Sequence, residues 1–431
     1  MRVYIETYGC QMNVRDTELV GGILQREGHS LVSSTDAADV ILLNTCAVRR
    51  NAERRVIGRV MQLSSIKEKR DIKIGLLGCV PQHLGEDLLE SVPPVDFIVG
   101  PDSYRNLPET IAAAGDERTA QCRLDRRELY EGLPSLRSGD NPSAFVTVMR
   151  GCDRMCTFCV VPHTRGRERS RRWPDIVAET EKLIGEGVRE VILLGQTVNA
   201  YHDGDVGFAD LLRKVAETGI PRIRFTSPHP SLFREEELDA IAECPEVCEW
   251  VHLPVQAGNS EVLQRMKRGY SREEYLALAR RIRERISGVT LTTDIIVGFP
   301  GEAPEQFEDT LSLMEECAFD SSYHFKYSAR PGTYAARAFD DDVSEEEKQD
   351  RLERVIALQG ELTRMSNREQ VGTVTEILVT ERGGRGPLQW LGRTRGNKIV
   401  VVESNENLFG AILEVHVTGS GTWSLRGRLK D

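Results

Sequence analysis

Short apolar runs alternate with helical stretches along most of this 431-residue chain, and they do so twice, on two different scales. In the first stretch Val3–Thr7, Asp39–Asn44, Lys73–Leu77 and Asp96–Val99 read as strands, and Asp16–Glu27, Ala52–Lys67, Leu84–Ser91 and Tyr104–Ala114 as helices. Such alternation predicts an α/β fold with a doubly wound parallel sheet, placed at residues 1–120. Gly115-Asp116, Leu133-Pro134 and the run Ser138-Gly-Asp-Asn-Pro142 mark a linker or irregular crossover, bounded at 121–142. A second alternation follows, with strands at Ala144–Met149, Glu190–Leu194, Arg222–Thr226, Trp250–Leu253, Thr290–Val297 and Ser322–Tyr327. Helical patterns such as Pro174–Glu186 and Arg272–Arg285 lie between them, and Ser344–Arg368 is a long charged helix. This spacing suits a partial (β/α)6 barrel over 143–369. Residues 370–431 switch to short β runs separated by Gly and Asn: Thr373–Thr380, Leu388–Thr394, Ile399–Val402, Ile412–Thr418 and Ser424–Leu429. These predict a small all-β barrel.

A chain of this length calls for two or three domains. No apolar run approaches the ~18 residues of a membrane span, and Glu6 stands where a secretion signal would be apolar. A cytoplasmic protein without a membrane partner is expected. In a reducing compartment the ten cysteines are metal ligands, nucleophiles or core thiols rather than disulfides. The net charge of −11 argues against indiscriminate coating of nucleic acid, but leaves room for RNA recognition by a local basic patch.

Cys152, Cys156 and Cys159 fall within eight residues, directly after the first barrel strand. Three thiolates can hold three irons of a [4Fe–4S] cube and leave the fourth open, and a barrel strand's carboxyl end is where active sites sit. A structural zinc site is the alternative; it needs a fourth ligand, and His163 is the one candidate nearby. Cys10, Cys46 and Cys79 are far apart in sequence, yet each stands just past a predicted strand. Neighbouring parallel strands bring their carboxyl ends to one edge, where ligands collect. A second cluster with one open iron follows, against the alternative of three buried apolar thiols. Cys122, Cys244, Cys248 and Cys317 lack such placement and carry no expected function.

The Cys-x3-Cys-x2-Cys spacing with Phe158 before the last cysteine resembles the signature of the radical S-adenosylmethionine superfamily. Together with the three N-terminal cysteines and the terminal β module, it resembles the methylthiotransferase family along nearly the whole chain. The closest branch modifies isopentenyl-adenosine beside the anticodon of tRNA. The matching segments are Thr7-Tyr-Gly-Cys-Gln-Met-Asn13, Asn44-Thr-Cys-Ala-Val-Arg49, Val161–Arg171, His252-Leu-Pro-Val-Gln256 and Gly392–Lys398. Arg154 and Ala329 depart from the family's usual residues; neither is an expected ligand.

The resemblance implies two [4Fe–4S] clusters and two molecules of S-adenosylmethionine. One molecule gives a methyl group to sulfur held at the auxiliary cluster. The other is cleaved to a deoxyadenosyl radical that takes hydrogen from C2 of the adenine. No acid–base residue is required. It further implies cofactor contacts at Gly195, Gln196, Ser227, Gln256, Asp294 and Gly298, with Phe158 against adenine. Its partners are the tRNA anticodon stem-loop, an external flavodoxin- or ferredoxin-type electron donor, and iron–sulfur assembly or sulfur-supplying proteins.

Basic charge gathers just after the barrel cysteines, at Arg165, Arg167, Arg169, Arg171 and Arg172, and in the last module at Arg393, Arg395 and Lys398 near Trp390. Beside a radical site these read as phosphate and RNA contacts rather than a solvated charged loop. Alternatives within the class are threonylcarbamoyl-adenosine in tRNA or a ribosomal-protein side chain as substrate. From another class comes a non-catalytic iron–sulfur RNA-binding or electron-relay protein, which would need no open iron.

Overall fold

A computed structural model of the chain describes residues 1–47, 50–115, 118–133, 135–137, 139–383, 386 and 388–430, with the side chains of residues 50–52 left out. Val48 and Arg49 of the Asn44–Arg49 segment, and Asp116, Pro134 and Ser138 of the expected linker, lie outside the described residues. Two compact units form. One comprises residues 1–139, 149–155 and 159–171; the other comprises 140–148, 156–158 and 172–431.

The first unit is built on a six-stranded sheet, β1 (Arg2–Tyr8), β2 (Ser30–Leu31), β3 (Val40–Thr45), β4 (Lys73–Gly78), β5 (Phe97–Val99) and β6 (Thr119–Gln121), in the order β2-β1-β3-β4-β5-β6. Every pairing is parallel. Along β3, Ile41 and Leu43 pack into one apolar cluster, while Val40 and Leu42 pack into another. Both faces of the sheet are therefore covered, which is why its central strands read as unbroken apolar runs. Truncating Leu42 to Ala would cost about 2–5 kcal/mol. The helix Gln11–Arg26 starts five residues before its expected first residue, Asp16, directly after Cys10. The helix expected over Leu84–Ser91 is instead two short helices, Cys79–Leu84 and Asp87–Ser91. An antiparallel pair, β7 (Met149–Arg150) with β8 (Arg169–Ser170), completes this unit.

In the second unit six parallel strands form two three-stranded sheets. Ser143–Thr147, Glu190–Leu194 and Arg222–Phe225 make one; Trp250–His252, Thr290–Val297 and Ser321–Lys326 make the other. A parallel bridge between Ile223 and Val247 links the end of the first to the approach of the second. The helix Glu345–Glu369 shows a polar buried stripe, Lys348, Arg351, Gln359, Thr363 and Asn367. Its polar groups are matched: Arg351 pairs with Glu302 at 2.8 Å, and Gln359 Nε2 donates to the Phe319 carbonyl at 2.8 Å. The last five strands, Val374–Arg382, Gln389–Thr394, Ile399–Glu403, Ile412–Ser420 and Leu425–Leu429, close into a barrel. Its core holds Ile377, Val400, Val415 and Trp390. No helix among the described residues is long and apolar enough to cross a membrane.

Candidate functional site

The register of the first sheet places Tyr8 beside Thr45 and Thr45 beside Gly78. Cys10, Cys46 and Cys79 thus stand just beyond the carboxyl ends of three adjacent parallel strands. Beneath them lies a buried amide pair. Asn13 Nδ2 donates to Asn44 Oδ1 at 3.1 Å and to the Thr45 carbonyl at 3.0 Å, and Asn44 Nδ2 returns a bond to the Asn13 carbonyl at 2.8 Å. The Cys10 thiol donates to Asn13 Oδ1 at 3.4 Å. The Cys10 thiol is pulled down to about 6, first by its hydrogen bond with Cys46 and then, against burial, by the charge of Arg165. Burial pushes the Cys79 thiol up, and Arg165 opposes it.

Arg165 is the largest departure from the sequence reading. Its side chain is buried, with Nη1 facing Asp16 Oδ2 at 2.6 Å and Nε donating to Cys79 Sγ at 3.2 Å. Arg169 is buried too, ion-paired with Asp102, and its Nε donates to the Glu128 carbonyl at 2.9 Å. Neither presents charge to an RNA backbone, so their expected role is corrected: both are internal clamps. Arg150 makes a third such link, Nη2 to Asp16 Oδ1 at 2.9 Å. Sequence reasoning missed Asp16, Asp102 and Arg150, which nothing in local pattern distinguishes from surface charge. Arg167 is exposed and pairs with Asp153 at 2.7 Å, and Arg171 is half-buried.

Gly151 precedes the three barrel cysteines with φ of +79°, and a Cβ there would stand 2.0 Å from the Arg167 carbonyl oxygen. Only glycine permits this turn. Each thiol that follows has a donor. The N–H of Arg154 reaches Cys152 Sγ at 3.4 Å, and that of Val161 reaches Cys159 Sγ at 3.5 Å. In the second unit, Nη1 of buried Arg268 donates to Cys156 Sγ at 3.2 Å, while its Nε and Nη2 hold the Tyr270 hydroxyl and the Pro254 carbonyl. Arg268 carries no signal in the sequence that singles it out.

Phe158 packs against the cluster of Ala257, Met266 and Phe299. Gly195 and Gln196 follow the strand Glu190–Leu194, and Ser227 lies two residues past Arg222–Phe225. Ser227 and Gln256 both have left-handed backbones, at φ of 60° and 78°. Gln256 is bridged to Ile295 on the strand that carries Asp294. Asp294 itself lies 3.5 Å from His252 Nε2. At Gly298 the space a Cβ would take is filled by the Lys348 stem, 2.3 Å away, so side-chain packing already requires that glycine.

The terminal barrel also revises the basic patch. Arg395 pairs with Glu249 at 2.8 Å and donates to the carbonyls of Pro245 and Val247. Lys398 pairs with Asp320 at 3.0 Å. Both fasten the terminal barrel to the six-stranded part of the same unit and stay part-exposed. Arg222 and Arg224 reinforce this from the other side, donating to the carbonyls of Arg393, Thr394 and Arg395. Arg393 remains half-exposed, with Nη1 on Asn397 Oδ1 at 3.2 Å. Trp390, expected near the RNA, is a core residue; Trp423 of the same module is exposed, at 73%.

Among the described residues no three His, Cys, Asp or Glu side chains are gathered tightly enough for a single metal ion. A four-iron cube spaces its thiolates wider than one ion does. All-thiol donors, with a backbone N–H on Cys152 and on Cys159 and a buried guanidinium on Cys156 and on Cys79, suit anionic iron–sulfur clusters.

Models of three known families match the chain: the radical SAM superfamily over residues 146–314, the uncharacterized protein family UPF0004 over 2–100 and the TRAM domain over 368–430. A protein of Chlorobium luteolum is 46% identical, the match covering 99% of this chain and 96% of that one. A protein of Symbiobacterium thermophilum is 44% identical, with 100% and 94% covered. Both bear the name tRNA-2-methylthio-N(6)-dimethylallyladenosine synthase. The fold is that of the radical S-adenosylmethionine methyltransferase TsrM of Kitasatospora setae, solved with cobalamin and a [4Fe–4S] cluster. There the TM-score is 0.59 at 17% identity, over 78% of this chain and 77% of that one. This chain therefore belongs to the tRNA-2-methylthio-N(6)-dimethylallyladenosine synthase family of radical S-adenosylmethionine methylthiotransferases, enzymes whose radical domain implies a [4Fe–4S] cluster and S-adenosylmethionine.

Proposed function

We propose that this chain is a tRNA methylthiotransferase, converting isopentenyl (dimethylallyl) adenosine beside the anticodon to its 2-methylthio derivative. What carries the reading is the presence in one chain of two separate thiol triads. One is the Cys152–Cys159 segment; the other is the set of strand ends at Cys10, Cys46 and Cys79. When bound, a [4Fe–4S] cluster on each triad supplies reductive cleavage of S-adenosylmethionine at the first and a seat for sulfur at the second.

The protein's own residues hold and tune. Arg154, Val161 and Arg268 donate to the first three thiols; Asn13 and Arg165 engage Cys10 and Cys79. Phe158, Gly195, Gln196, Ser227, Gln256, Asp294 and Gly298 are the proposed surroundings of S-adenosylmethionine. Arg167, Arg171 and Arg393, with exposed Trp423, supply phosphate and stacking contacts to the anticodon stem-loop. An electron donor of flavodoxin or ferredoxin type, sulfur-supplying proteins and a cytoplasmic setting complete the proposal. Nucleoside mass spectrometry of tRNA from cells lacking the chain tests it. Loss of 2-methylthio-isopentenyladenosine, with isopentenyladenosine accumulating, is expected; an unchanged nucleoside profile refutes the substrate.

A further inference from the structure

Arg165 is a cation sealed from solvent, with its side chain 3% exposed. Its Nε donates to Cys79 Sγ, its Nη1 ion-pairs with Asp16, and its Nη2 is buried with no hydrogen-bond partner among the described residues. Asp16 does not depend on it alone. Arg150 Nη2 holds the other carboxylate oxygen at 2.9 Å, and the Tyr104 hydroxyl stands 3.4 Å from the first. Two guanidinium groups thus share one carboxylate, leaving one positive charge in excess beside the three strand-end thiols. The interior does not keep such a charge without an anion to receive it.

We propose that Arg165 is a positioning residue of the auxiliary cluster: Nε holds the Cys79 thiolate, Nη2 donates to a sulfur of the cluster, and the charge raises the cluster's reduction potential. The inference rests on the reading of Cys10, Cys46 and Cys79 as cluster ligands. It takes Arg165 out of the RNA surface and places it between the carboxylate of one strand–helix unit and the sulfur chemistry of its edge. Hydrogen bonds and net charge at the sulfurs are the protein's main controls over such a potential.

The test uses the full chain with Cys152→Ala, Cys156→Ala and Cys159→Ala, so that one cluster remains, reconstituted anaerobically. Iron content is measured first, and the midpoint potential then by redox titration followed by electron paramagnetic resonance. The parent should hold about four irons; absence of iron there would refute the ligand reading itself. Arg165→Gln should keep its iron and make one-electron reduction about tenfold less favourable, a shift of about 59 mV to more negative potential. Arg165→Lys, which keeps the charge, should shift less. Arg150→Gln, which removes the other partner of Asp16 but no thiol contact, should leave the potential within about 10 mV of the parent, a less than twofold change. An unchanged potential in iron-loaded Arg165→Gln overturns the proposal. If Arg165→Gln fails to load, rescue by Arg165→Lys supports it. Failure of both makes Arg165 a structural clamp and overturns it.

Discussion

Nη1 of Arg268 stands 3.2 Å from Sγ of Cys156 and donates a hydrogen bond to it. The same guanidinium is anchored on the Pro254 carbonyl at 2.8 Å and on the Tyr270 hydroxyl at 2.9 Å, so its direction is fixed. Outer contacts of this kind are worth about 10–100-fold in metal affinity or activity. Arg268→Gln should therefore slow deoxyadenosine formation by about that factor in the absence of tRNA. Chromatographic detection of deoxyadenosine, normalised to iron content, checks it; a rate equal to wild type at equal iron would remove Arg268 from the site.

The two triads are expected to fail separately. Reconstituted protein should carry about eight irons, and the triple alanine variant at Cys152, Cys156 and Cys159 about four. The corresponding variant at Cys10, Cys46 and Cys79 should still cleave S-adenosylmethionine but add no sulfur to RNA. Circular dichroism must first show that variant folded, because cluster binding contributes to folding. Normal methylthiolation by the folded variant would remove those thiols from the site.

Arg393 and Arg395 are two residues apart and should behave differently. Arg395→Ala leaves Glu249 without its pair and frees the carbonyls of Pro245 and Val247, a loss of about 1–3 kcal/mol in stability. Arg393→Ala should leave thermal unfolding within about 0.5 kcal/mol yet weaken tRNA binding and flatten its salt dependence. Trp423→Ala should also weaken binding, by about 1–3 kcal/mol, while leaving the salt slope intact. Filter binding across a salt series, beside thermal melts, separates the three variants.

Burial holds the imidazole of His324 down to about 4, with the charge of Asp294 acting in the opposite direction. The unfolded chain protonates this ring near 6.5, so between those values it binds more protons than the folded one. The stability due to neutral His324 is therefore complete above about pH 6.5 and is lost as pH falls toward 4. Since the side chain is part-exposed, the loss should be no more than about 2 kcal/mol. Urea midpoints of wild type and His324→Gln, measured from pH 7 to 4, should converge on acidification. Parallel curves would refute this.

Where a segment is long and its period strong, the sequence was a good guide to the fold. Glu190–Leu194, Thr290–Val297 and Arg272–Arg285 are found at their expected bounds. The edge strands Ser30–Leu31 and Thr119–Gln121 are two and three residues long, too short to show a period, and the second lies across the expected linker boundary. The strand-end cysteines were legible because each directly follows an apolar run. The arginines were not, since alternating Arg reads the same on a solvated loop as in a buried clamp. What decides between them is an acid far away along the chain: Asp102 lies 67 positions from Arg169, and Asp16 lies 134 positions from Arg150.

Those distant acids limit how the protein can be taken apart. Asp16 and Asp102 belong to the first hundred or so residues, whereas Arg150, Arg165 and Arg169 flank the cysteines that begin the radical domain. A chimera that joined this N-terminal sheet to another barrel at residue 146 would leave two buried carboxylates facing foreign side chains. The barrel cut there would carry three guanidinium groups with no counter-ion in their interior sites, each a strongly destabilising change. Residues 149–155 and 159–171 therefore belong with the N-terminal sheet, and recombination within this family should be penalised at the start of the radical domain.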